Sequence, residues 1–200
     1  MGFAVWKLGG SLFDLPDLAE RIHRQYAQQS PSLPVIIIPG GGAFADSVRK
    51  LDKVHKLDPT DSHRLALDAM RLSASLIASL LQQTVITDWE SQQTSLAAWK
   101  RDDDPPGLHV WNVIDTWHTL LPELERVCGE IPADWRLTSD SIAAALAAYW
   151  GAEQLVLVKS IDRPAESSWE AVAKTGAVDD VFPQVAPHVR HVEWVNLRAQ

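Results

Sequence analysis

The chain has 200 residues, 46% of them hydrophobic and 22% charged, and a formal net charge of −8. That is enough for one well-buried domain over residues 1–200 and short for two, and it fits neither a disordered nor a fibrous protein. An acidic chain with no basic run argues against nucleic acid and anionic membrane as partners, although local amides and a few lysines can still hold a nucleotide's phosphates.

The single cysteine, Cys128, excludes an intrachain disulfide and a cysteine-cluster metal site. No apolar run approaches about 18 residues, so no membrane span is expected. The first residues lack a basic region followed by a long apolar core, so no signal peptide is expected and the cytosol is the default location. The nine tryptophans follow no repeat period and read as core or interface filler.

In chain order, Phe3 to Trp6 reads as a strand that delivers Lys7 to the carboxyl end of a sheet, where a rim lysine packs little. Gly9-Gly10-Ser11 follows as a tight turn whose backbone can approach an anion closely. Leu15 to Gln29 carries apolar residues at Leu15, Leu18, Ile22 and Tyr26, one face of a helix. Val35 to Ile38 is a β-branched run of the kind buried on both faces, and it ends in Gly40-Gly41-Gly42. A helix is expected from Ala43 to about His55 with Phe44, Val48 and Leu51 inward. A second strand thus ends in a second glycine turn that opens a second helix.

Asp58-Pro59-Thr60-Asp61 signals a helix start, and Ser62 to Gln82 reads as a long helix with Leu65, Ala69, Leu72, Leu76 and Leu80 on its inner side. Thr84 to Thr87 reads as a short strand, Glu90 to Lys100 as a helix, Arg101 to Gly107 as a solvated loop, and Leu108 to Val113 as another strand. Asp115 starts a short helix that should stop before Pro122; Glu123 to Asp134 gives no clear pattern. Ser141 to Trp150 is an alanine-rich helix ended by Gly151. Gln154 to Val158 is an apolar strand, Ser167 to Lys174 a helix, Gly176 to Pro183 irregular, and His191 to Leu197 a last strand. Strands alternating with helices predict an α/β fold with a mainly parallel sheet, whose ligands bind at the carboxyl ends of the strands.

Three strand ends then share one edge: Lys7-x-Gly9-Gly10-Ser11, Gly40-Gly41-Gly42 and Lys159-Ser160-x-Asp162, with Ser139-Asp140 opening a helix just before the third. Two glycine turns can present amides to two phosphate-bearing ligands, two lysines can neutralise a transferring phosphoryl group, and a carboxylate between them would hold both. Neither the Gly-x-x-x-x-Gly-Lys-Ser/Thr loop nor the Gly-x-Gly-x-x-Gly fingerprint is present.

The stretches VWKLGGSLFD, IIIPGGGAFAD, LTSDSIAAALA and GAEQLVLVKSID, in this order over most of the chain, resemble the amino acid kinase superfamily. The short length, the helix with Asp61, His63 and Ala66 to Met70, and IPADWRLTSDSIAAALA are most similar to the branch that phosphorylates (5-(aminomethyl)furan-3-yl)methyl phosphate in methanofuran biosynthesis. The resemblance implies a three-layer α/β/α sandwich and a small-molecule kinase using ATP and Mg2+. It implies that Lys7, Asp140 and Lys159 are catalytic, with Asp140 organising the lysines. It places Gly9, Gly10, Ser11, Ser160 and Asp162 with the nucleotide, and Gly40, Gly41, Gly42 and Ser139 with the acceptor. No protein ligand to the metal is assigned, because the nucleotide phosphates and water would hold it. The acceptor is a small phosphorylated or carboxylated metabolite, and its pocket is expected to use the long helix and the stretch 88–134. Dimers or larger rings are common among such kinases, which leaves a homo-oligomer open.

Other readings stand beside these. Larger relatives carry their second lysine further past the strand, so Lys174 competes with Lys159, and Lys159 also reads as a surface lysine. Asp140 also reads as a simple helix cap. His63 and Arg64 read as a solvated helix face, and His188 and His191 as surface residues. Many relatives continue past the last strand with a further glycine turn and hairpin, where this chain has only a few residues beyond Val195-Asn196-Leu197. That motivates two alternatives: a nucleotide sensor that transfers nothing, or a kinase whose acceptor is a carboxylate.

Overall fold

Apolar runs form the three central strands, buried on both faces, and helices cover the sheet on either side. The order is β1 (Ala4–Leu8), α1 (Leu18–Gln29), β2 (Val35–Pro39), α2 (Gly42–His55), α3 (Pro59–Leu80), α4 (Trp89–Arg101) and β3 (Leu108–Val110). Then come α5 (Ile114–Cys128), α6 (Ser139–Trp150), β4 (Gln154–Lys159), α7 (Trp169–Lys174), α8 (Phe182–Val185) and β5 (Val192–Asn196). The computed structural model describes residues 2–101, 103, 105–166 and 168–199. Asp102 and Asp104 of the expected loop, and Ser167 at the start of the expected helix, lie outside the described residues.

The five strands pair in parallel in the order β3-β2-β1-β4-β5. This is the expected three-layer α/β/α architecture. Because side chains alternate along a strand, one face carries Phe3, Val5, Ile36, Ile38, Leu155 and Leu157, packed with α5, α6 and α8. The other carries Ala4, Trp6, Leu8, Val35, Ile37, Val156 and Val158, packed with α1 and the C-terminal half of α3. Trp6, Trp99, Trp111, Trp117 and Trp150 are buried, with Trp99 stacked on Trp111 at 5.6 Å. Among the described residues no helix is long and apolar enough to cross a membrane.

Several local expectations change. Thr84 to Thr87 contributes only a single bridge, Ile86 to Trp111, and β3 stops at Val110. The helix begun at Ile114 runs through Pro122 to Cys128. Pro122 lies on the solvent side, where the carbonyl it leaves unpaired can bond water. The largest change is at the helices nearest the strand ends. Phe44 and Leu51 of α2 are exposed rather than inward, and α2 buries no residue. It rests on α3 and on the turn after β1, above the rim of the sheet, and turns its polar side toward the strand ends. On α3 only Ala69 of the five expected inner residues is buried; Leu72 and Leu80 face out. Its inner side carries His63, Leu67, Met70, Ser73, Ala74, Ile77 and Ala78, and the small residues Ser73, Ala74 and Ala78 let its C-terminal half come close. Ser73 Oγ donates to the Gly41 carbonyl at 3.2 Å. The leucine stripe marked a second apolar face, not the core-facing one.

The two glycine turns touch backbone to backbone. A Cβ on Gly10 would stand 2.2 Å from Gly42 Cα, and Gly42 itself has φ of +52°. We expect Gly10→Ala to lower stability by about 1–3 kcal/mol in chemical denaturation, the cost of overpacking against backbone. Gly107→Ala, where a new Cβ meets nothing nearer than 3.5 Å, should hold or gain stability. Equal midpoints for the two variants would contradict this contact.

Candidate functional site

After β1 and β2 the chain moves outward to β3, then returns to place β4 on the other side of β1. The strand order therefore reverses between β1 and β4, and connections leave the two strands in opposite directions. Crevices in parallel sheets open at such a point, at the carboxyl ends. Lys7 and Lys159 flank it. Lys7 is paired in register with Leu157, and Lys159 stands two residues further along β4. A spacing of two puts both side chains on the same face, the one covered by α6.

There they meet Asp140. Lys7 Nζ is 2.9 Å from Asp140 Oδ1. Lys159 Nζ is 2.8 Å from Oδ1 and donates to Oδ2 at 2.8 Å. All three residues are buried, Lys7 at 5%, Asp140 at 5% and Lys159 at 8% exposure. Lys7 is thus an interior lysine, which corrects the expectation that it packs little. Lys159 is the second lysine of the cluster, whereas Lys174 lies exposed in the last turn of α7. Lys159 is further fixed by donating to the Ala177 carbonyl at 2.7 Å. Its ammonium also lies 5.4 Å from the centre of the Trp194 ring.

Two ammonium groups against one carboxylate leave a surplus positive charge in a poorly solvated place. Burial opposes ionisation of Asp140, but Lys7 and Lys159 overcome it and hold the carboxyl below its usual range. Burial, reinforced by Lys7 and only partly offset by Asp140, lowers Lys159 to about 8. Such an arrangement suits an anion entering between the lysines.

The glycine turns form the walls. Gly9 N donates to the Val158 carbonyl and Gly40 N to the Leu8 carbonyl, both at 2.8 Å, so each turn extends the ladder. A Cβ on Gly40 would stand 2.7 Å from Ser139 Oγ, which brings the second turn against the start of α6. Ser11 and Ser160 share a hydrogen bond of 2.8 Å across the β1–β4 crevice. Asp162 is not drawn into the cluster; its Oδ1 accepts from Asn196 Nδ2 at 2.9 Å on the β4–β5 rim. Arg198 Nη2 donates to the Ser11 carbonyl at 2.7 Å and pairs with Asp14.

Beside Gly10, Ser11, Gly40–Gly42 and Ser139 opens a cavity of about 260 Å3. Its far wall is Ala45, Asp46 and Arg49 of α2, His63, Ala66, Leu67 and Met70 of α3, and Trp135 to Thr138 without Arg136. The long helix contributes as expected, but no residue of 88–134 does; α2 and the segment leading into α6 take its place. His63 is buried, not solvated, and burial pushes its imidazole pKa down despite Asp134. Arg49 lies 4.5 Å over the Trp135 ring and pairs with Asp46 at 2.7 Å, and Trp135 Nε1 donates to Asp52 at 2.7 Å. Arg49 has no sequence signal beyond its charge, and Trp135 enters only as part of the stretch IPADWRLTSDSIAAALA, with no role of its own.

Asp140 is not the cap of α6. The cap position is Thr138, and the carboxylate that accepts from Thr138 N and from Ser141 N in the first turn belongs to Asp179. That residue lies in the stretch expected to be irregular, Gly176 to Pro183.

In the ligand-free protein, NMR of the lysine ε-nitrogens should show Lys159 losing its proton near pH 8. A value like that of free lysine would contradict the buried two-to-one cluster.

A model described as the amino acid kinase family matches residues 2–163. The chain is 27% identical over 160 residues to the [5-(aminomethyl)furan-3-yl]methyl phosphate kinase of Methanocaldococcus jannaschii. That match covers 79% of this chain and 66% of the relative's length. Among solved structures, uridylate kinase from Archaeoglobus fulgidus superposes with a TM-score of 0.61 at 18% identity, covering 100% of this chain and 93% of that one. UMP kinase from Ureaplasma parvum gives 0.62 at 14% identity, covering 97% and 90%. The chain belongs to the amino acid kinase family.

Proposed function

We propose that the protein transfers the γ-phosphoryl group of ATP to the phosphate of a small phosphomonoester, giving ADP and a diphosphate, with (5-(aminomethyl)furan-3-yl)methyl phosphate as the acceptor. The observation that carries this is the buried pair of lysines on one carboxylate at the switch point of the sheet. Phosphoryl transfer asks the protein for positioning and charge neutralisation rather than covalent chemistry.

In this reading Lys7 and Lys159 supply the charge that the transferring phosphoryl oxygens require. Asp140 takes no proton; it holds both ammonium nitrogens toward one point. Gly9, Gly10 and Ser11, with Ser160 across the crevice, hold the nucleotide phosphates. Asp162 and Asn196 line the nucleoside side. Gly40–Gly42 and Ser139 hold the acceptor between the lysines and the cavity. The glycine turns fit phosphate, since turns packed backbone to backbone, with no room for a Cβ at Gly10, leave bare main chain at the crevice. Mg2+ would be held by the ATP phosphates and water and would neutralise charge on the leaving group.

The aromatic acceptor is supported by the Leu67, Met70 and Trp135 walls, and its phosphate by Arg49 on the same cavity. The name of the Methanocaldococcus jannaschii relative supports the same acceptor.

The direct test is 31P NMR of protein, ATP, Mg2+ and the aminomethylfuran phosphate, with a panel of other phosphomonoesters and carboxylates. Appearance of ADP together with the diphosphate is expected. Binding of ATP without product across the panel would support the sensor, and a hydroxylamine-trapped acyl phosphate would move the acceptor to a carboxylate. Lys7→Met should lower kcat by about 10²–10³-fold, the usual cost of one electrostatic stabiliser. It should not unfold the protein, because it leaves a balanced Lys159–Asp140 pair. Asp140→Asn leaves two unpaired cations instead and should cost about 3–5 kcal/mol of stability. Equal stability losses for the two variants would contradict the charge imbalance.

A further inference from the structure

The first turn of α6 carries Asp140, yet the helix is held from elsewhere in the chain. Asp179 lies between α7 and α8. Its Oδ2 accepts from Thr138 N at 3.1 Å, Thr138 Oγ1 at 2.8 Å and Ser141 N at 3.1 Å. Its Oδ1 accepts from Ser141 Oγ, and from Val181 N and Phe182 N at 3.1 Å each. One carboxylate therefore receives six donors, two from the amides just after it and four from Thr138 and Ser141, 41 and 38 residues away in sequence. Two residues before it, the Ala177 carbonyl accepts from Lys159 Nζ at 2.7 Å. The short segment 177–179 thus grips the lysine through its backbone and the helix of Asp140 through its side chain.

We propose that Asp179 is a positioning residue for the phosphoryl-transfer cluster, fixing α6 against the 177–179 turn so that Asp140 and Lys159 keep their relative place. The proposal rests on the kinase reading above. A cap serving only the helix needs no distant residue, because an aspartate or serine at the cap position can itself accept from Ser141 N. Thr138 occupies that position and its side chain makes no cap bond to its own helix; it donates to Asp179 instead. Asp179 does not line the cavity, so it acts through its neighbours. The charged groups around Lys159 are Asp140, Lys7 and Asp179, and Asp179 adds to the negative field that keeps Lys159 protonated. Burial and the nearby Asp140 push the Asp179 carboxyl up, while the Ser141 and Thr138 hydrogen bonds pull it back toward the ionised form.

The test compares Asp179→Asn, which cannot accept from both sets of amides, with Asp58→Ala, which removes the cap of α3. For Asp179→Asn, kcat should fall about 10–100-fold, the scale of a small misplacement of reacting groups. KM for ATP should stay within about twofold. Asp58→Ala should lower the melting temperature and leave kcat alone. Wild-type kcat in Asp179→Asn, with only a lowered melting temperature, would make Asp179 a structural cap and overturn the proposal. NMR of the lysine ε-nitrogens in ligand-free protein adds a readout that needs no turnover: removing the charge should move the Lys159 titration to lower pH, and an unmoved titration overturns the proposal. That arm stands even if the wild-type protein transfers no phosphate, in which case only the kinase reading fails. Should Asp179→Asn not fold, Ser141→Ala removes a single donor; about a threefold loss of kcat at unchanged KM is expected, and wild-type kcat would overturn the proposal.

Discussion

The site depends on one electrostatic constraint: two ammonium groups share one carboxylate in a place that water hardly reaches. Lys7 and Lys159 bring one charge more than Asp140, the carboxylate they touch, can balance, and Asp179 offsets it only from beyond contact. Burying an unbalanced charge is costly, and the fold accepts that cost at the point where its strand order reverses. Parallel register sets the spacing of the lysines, and α6, laid across β1 and β4, lowers its first turn between them. The glycine turns put main chain rather than side chain at the strand ends, which leaves an anion room to approach the lysines.

Much of this was legible in the sequence because the relevant signals are local. The β-branched run before Gly40, the glycines themselves and the alanine-rich stretch ended by Gly151 each fix a backbone conformation without help from distant residues. Period-two alternation places Lys7 with Val5, and Lys159 with Leu157, once the strands are known. Four such motifs in order also carried the family resemblance.

What escaped the sequence depended on tertiary partners. The leucines at 65, 72, 76 and 80 and the small residues at 69, 73, 74 and 78 both have helical spacing, and nothing local says which face meets the sheet. Phe44 and Leu51 read as inward because a helix after a strand usually lies on the sheet, whereas α2 sits above its rim. Asp179 was invisible because it lies in an irregular stretch and most of its donors, on Thr138 and Ser141, reach it only in the folded chain. The cavity beside the glycine turns is built from α2, α3 and the segment before α6, three pieces that only the fold makes neighbours. Arg49 over Trp135 and the buried His63 are part of its lining.

The most direct measurement is a crystal structure with a non-hydrolysable ATP analogue and Mg2+. A transfer site organised by Asp140 predicts the γ-phosphoryl oxygens within about 3 Å of both Lys7 Nζ and Lys159 Nζ, with the β-phosphate against Gly9 to Ser11. Phosphates bound away from the two lysines, or a cluster still closed on itself with the nucleotide in place, would contradict it.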